Sequence, residues 1–87
     1  MHFDDSRMKL IDAIAWAKTC LLIAAQSRNN ASQLAVELGK LEEANKSVRS
    51  MLPGEKDFER LPFALKKEIR VCEIGLERLR NPEATAQ

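Results

Sequence analysis

Tyrosine is absent from these 87 residues, histidine occurs once, and glycine and proline appear three times each. Each scarcity excludes a class of chemistry. The one histidine, His2, stands beside the start of the sequence and there is no tyrosine, so no histidine-based triad or general base in a packed pocket is expected. Gly39, Gly54 and Gly75 are scattered and make no loop that could cradle a phosphate. Cys20 and Cys72 have no second ligand at a zinc spacing, so no metal or cofactor site is expected. Each falls on an apolar stripe, which fits small buried hydrophobes in a reducing cytoplasm better than a disulfide framework.

Long apolar runs are also missing. Ala13 to Ala25 is the greasiest stretch, yet it is too short to span a bilayer and Lys18 interrupts it. As a signal peptide it is poor, because Asp4, Asp5 and Asp12 precede or enter it and no clean small-residue cleavage site follows. No targeting segment is read, and no membrane partner is expected. An excess of one charge is lacking too: 14 basic and 13 acidic side chains leave a net charge of +1. They are mixed along the chain, so no basic face for phosphate neutralisation is evident, and nucleic acid is an unlikely partner.

What remains is helix, at 45% hydrophobic and 31% charged residues, a balance typical of folded globular chains. One domain over residues 1–82 is expected, with helices at about 4–28, 31–52 and 62–80 and a frayed tail at 83–87. Asp4 is placed to cap the first helix, with Phe3 and Met8 as a hydrophobic staple. Asn29-Asn30 breaks it, and Asn30 with Gln33 resembles a reciprocal cap for the second. Leu34, Leu38, Leu41, Asn45, Val48 and Leu52 step by four and three, a single narrow seam. Glu42 and Lys46 are spaced for an ion pair on the other side. Pro53-Gly54 stops this helix, residues 55–60 suggest a short helical turn, and Pro62 suits the first position of the next helix. There Leu61, Leu65, Ile69, Cys72, Leu76 and Leu79 repeat the seam, and Asn81-Pro82 closes it. Gly75 is expected to permit close packing on a broad face with Ala64 and Val71.

The first helix has more apolar surface than one side can use. On a wheel of 100° per residue, Leu10, Ile14, Ala17, Leu21 and Ala24 form the main stripe, flanked by Ile11, Leu22 and Ala25. Ala13, Trp16, Cys20 and Ile23 occupy a separate side. The expected fold is therefore an all-α, three-helix antiparallel bundle with the first helix in the middle. A homodimer would form through its uncovered side, with Trp16, Cys20 and Ile23 as the self-association residues.

Residues 32–39, Ser-Gln-Leu-Ala-Val-Glu-Leu-Gly, have the spacing that opens a helix-turn-helix, so a DNA-binding regulator using residues 31–52 is the competing reading. It requires an apolar anchor where Asn45 stands, and it puts Glu42 and Glu43 against phosphates. A continuous helix is the simpler expectation. Asn45 then interrupts an apolar seam. It is either partly exposed near a bundle end or a register device, bonded across a helix pair or to its symmetry mate. Phe63 and Ile74 lie nearly opposite the third helix's seam, with Lys67 and Arg70 between them. These four are either scattered surface residues or a docking strip suited to an acidic amphipathic helix. Glu68, Glu73 and Glu77 read as a solvated charged face. The function expected is a non-enzymatic interaction module: a regulator, adaptor, inhibitor or chaperone that works by presenting helical surface to another protein.

Overall fold

A computed structural model describes residues 5–81 and contains four helices: α1 (Asp5–Gln26), α2 (Ala31–Ser50), the short α3 (Glu55–Glu59) and α4 (Phe63–Arg80). No strand occurs among the described residues. The expected Asp4 cap, the Phe3 half of its staple, Pro82 and the 83–87 tail lie outside them.

Local signals place the helix ends. The Gln33 amide donates to the Asn30 side chain over 3.1 Å, satisfying one of the free donors of the first turn of α2. The reciprocal half of that cap does not form, because the Gln33 side chain donates instead to Glu37 Oε2 at 2.6 Å. At α3 the Gly54 amide donates to the Asp57 carboxylate over 3.0 Å. Pro62 sits one residue outside α4 rather than at its first position, and its carbonyl accepts from the Leu65 and Lys66 amides. No turn occurs at Gly39, because α2 runs unbroken through it. The helix-turn-helix geometry is therefore not formed.

Ion pairs give the directions. Arg49 meets Glu73 and Arg80 meets Glu42, so α2 and α4 are antiparallel. Lys18 meets Glu68, and Leu21 lies against Gly75, so α1 and α4 are parallel. The three long helices all pack on one another. Consequently α1 is one corner of a triangle and not a central element, which corrects the sequence expectation.

The core takes Leu10, Ile14, Ala17 and Cys20 from α1, Leu41, Ala44 and Val48 from α2, Phe58 from α3, and Ile69, Cys72 and Leu76 from α4. Ile14, Leu41 and the two cysteines are the largest side chains sealed completely. Full burial of Ile14 or Leu41 contributes roughly 1.5–3 kcal/mol each. On α1 the buried arc spans about 120° of the wheel, the width two neighbours in a triangle can cover. It runs over Cys20 rather than over the expected flank. Ile11 and Leu22 are exposed on one side of the arc, Trp16 and Ile23 on the other.

Gly75 has the close-packing role its sequence position suggested, though against α1 alone. A Cβ there would lie 2.5 Å from Leu21 Cδ1, while Ala64 and Val71 are exposed.

Candidate interaction surfaces

The outward face of α4 carries the first surface. Phe63, Lys67, Arg70 and Ile74 fall within about 60° on the wheel. All four are exposed, Phe63 to 76%. With Glu59, Lys66 and Val71 they line a depression of about 440 Å³ whose floor is Phe58 of α3. That floor is rigid: Phe58 is buried, with the Arg49 guanidinium 4.5 Å and the Arg70 guanidinium 5.1 Å from its ring centroid. Arg49 is fixed in turn by Glu73, donating two bonds of 2.6 and 2.8 Å in a fork. The hydrogen bond it donates to Glu73 holds the Arg49 guanidinium above its usual pKa, outweighing partial burial.

Cations outnumber carboxylates on this face. Among the described residues, Lys67, Arg70 and Arg78 have no carboxylate within ion-pair distance; of the acidic neighbours, Glu68 and Glu73 are engaged by Lys18 and Arg49, Glu59 meets Lys66 loosely at 3.8 Å, and the exposed Glu77 has no cation partner. Apolar side chains and unpaired cations thus alternate along three turns of helix.

The surface extends further than its sequence signature. Val71 also borders a hollow of about 660 Å³ between α1 and α4, formed with Leu21, Leu22, Ala25 and the stem of Lys18. Lys18, at the border of that hollow, donates to Glu68 over 2.7 Å, and this bond raises the Lys18 pKa. On the wheel Leu22 and Ala25 read as flanks covered by the other helices. Leu22 is exposed and Ala25 only half-buried, which follows from the narrower buried arc that periodicity does not specify.

A second surface lies between α1 and α2. Trp16 is 56% exposed and Ile23 is also accessible. Cys20, expected beside them as a self-association residue, is instead sealed within the bundle. At −80° on the wheel it falls just inside the buried arc, whereas Trp16 at −120° falls outside. Trp16 borders a hollow of about 440 Å³ with Val36, Gly39, Lys40, Glu43, Ala44 and Ser47. Of these, Val36 had a sequence signal, since it is an apolar residue off the seam of α2.

The interior holds three polar features. Burial pushes both thiols up, Cys72 to about 11, the reverse of what a nucleophilic thiolate needs. Asn45 is 8% exposed and donates from Nδ2 to the Cys72 carbonyl over 3.2 Å. The partial-exposure reading is therefore replaced by a bond across the α2/α4 pair. Glu37, a carboxylate beside the apolar seam of α2, is buried beneath Gln33 and Lys40. Glu68 and Glu73 face cations at the surface, and Glu77 is solvent-exposed.

The fold and these surfaces define an all-helical bundle with two dissimilar accessible faces, one cationic and one of mixed charge. No helix among the described residues is long and apolar enough to cross a membrane. Compared with known protein families, curated proteins and solved structures, the chain matches none.

Proposed function

We propose that the chain is a non-enzymatic protein–protein interaction module whose α4 face takes an acidic amphipathic helix from another protein. The observation that carries this reading is the alternation of Phe63, Val71 and Ile74 with Lys67, Arg70 and Arg78, which lack carboxylate partners among the described residues. An apolar stripe on the incoming helix would fill the depression above Phe58, and its acidic edges would meet the cations. Phe63 and Ile74 are separated by eleven residues, about 16 Å of helix, which suits three turns of ligand. The mechanism would be occlusion or scaffolding of that segment. Self-association through Trp16 and Ile23 belongs to the same proposal, leaving α4 free on each protomer.

A displayed library of random twelve-residue peptides, selected on the purified chain, tests the α4 reading. Expected binders carry apolar residues at i, i+4 and i+7 with acidic residues between them, and lose binding to a Phe63→Ala/Ile74→Ala variant that melts at an unchanged temperature. Binders without acidic residues, or binding indifferent to that variant, would contradict it. So would DNA retention that falls steeply with salt, because the same cations would then be serving phosphates.

A further inference from the structure

We infer that a second copy of this chain docks on the α1/α2 face, with Trp16 of each protomer set against Gly39 of the other about a two-fold axis. This rests on the self-association reading above and adds the geometry and the α2 residues to it. Two observations support docking on this face, and the first of them favours a second copy as the occupant.

The first is the charge pattern. Lys40 and Glu43 are one turn apart on the same exposed side of α2, and both border the hollow beside Trp16. A two-fold axis passing between them places each Lys40 opposite the partner's Glu43, and the same pair is made twice. Glu43 has only a loose contact within the chain, to Lys46 at 3.8 Å, and the Lys40 side chain is mostly exposed although it also meets the buried Glu37 carboxylate at 3.6 Å. The α4 face fails the same test. Pairing it with itself would set Lys67, Arg70 and Arg78 against like charges.

The second is Gly39. Glycine inside a helix costs about 1 kcal/mol relative to alanine. Nothing in the monomer needs it, because a Cβ at this position would meet no atom within 4 Å. Gly75 offers the contrast, since there the close approach of Leu21 explains the missing side chain. Within the chain no close approach accounts for Gly39. It leaves a shallow notch beside Val36, itself 55% exposed, into which an indole ring from a neighbouring chain can lie flat.

Sedimentation velocity over a concentration series, on the full chain, tests this. The wild-type chain should sediment as a dimer. Lys40→Glu and Glu43→Lys should each weaken dimerisation about tenfold or more, as like charges meet across the axis, and the double exchange should restore it to within about threefold. Gly39→Leu should dissociate the dimer, with circular dichroism melts confirming that every variant folds. If the charge variants and Gly39→Leu leave the dimer intact while Trp16→Ala dissociates it, this geometry is overturned and self-association through Trp16 stands. A wild-type chain that remains monomeric overturns both.

Discussion

Asn45 of α2 reaches across to α4 and donates from its side-chain amide to the backbone carbonyl of Cys72 at 3.2 Å, with both residues buried. Within a helix the Cys72 carbonyl has a second lone pair available, so this bond adds to the α4 ladder without breaking it. It ties one position of α2 to one position of α4. Asn45→Ala should lower stability by about 1–3 kcal/mol in urea denaturation. Asn45→Asp should cost more, because a carboxylate would face a carbonyl with no donor between them. The oligomeric state should not change with either substitution, since the bond is made within one chain.

The two helical glycines that lie in long helices predict opposite outcomes. Gly39→Ala meets open space and should stabilise the monomer by about 0.5–1 kcal/mol. Gly75→Ala puts a methyl 2.5 Å from Leu21 Cδ1, and the strain, about 1–3 kcal/mol for overpacking, should exceed the gain in helix propensity. Combining it with Leu21→Ala should recover the strain term, visible as favourable coupling in a double-mutant cycle of thermal melts.

The thiols predict a loss of stability in alkali. Cys72 has an ordinary pKa of 9.0 and is pushed up to about 11, chiefly by burial. Below pH 9 the thiol is protonated whether the chain is folded or not, and its contribution is fully present. Between pH 9 and 11 the unfolded chain loses its proton first, so stability falls, by roughly 2–3 kcal/mol in total. Cys72→Ser should flatten that slope in denaturation measured at stepped pH. At pH 8 a thiol reagent should react with neither Cys20 nor Cys72 until the chain unfolds.

Phe58 and Arg49 support the floor of the α4 depression together. Arg49→Lys keeps the charge but loses the fork to Glu73 and the planar stack on the ring, and should cost about 1 kcal/mol. Phe58→Ala should cost about 3–5 kcal/mol and weaken the binding of any peptide that depends on Phe63. Calorimetric melts and peptide titrations on the same samples separate the two effects.

Much of this architecture could be read from spacing alone. The four-and-three steps of Leu34 to Leu52 and of Leu61 to Leu79 located two seams, both now found turned inward. The Phe63, Lys67, Arg70 and Ile74 side of α4 could be read because nothing else on that helix competes with its seam. On α1 the reading was less accurate for a physical reason. Nearly every position there is apolar, so hydrophobicity could not say how wide the buried arc is, and Cys20 and Leu22 exchanged roles. Glu37 was missed because a periodic pattern scores a carboxylate as exposed, whereas here Gln33 and Lys40 satisfy it under cover. Gly39 was visible only as part of a degenerate motif, and the empty space around it required three dimensions.

The central claim is that the two exposed faces serve different partners, α4 an acidic helix and α1/α2 a second copy. Amide and indole chemical-shift mapping of the isotope-labelled chain, titrated with the selected acidic peptide, tests it most directly. The account predicts shifts concentrated at Phe63, Lys67, Arg70, Val71 and Ile74, with the Trp16 indole signal unmoved. Shifts centred on Trp16, Ile23 and Val36, or spread evenly over both faces, would contradict it.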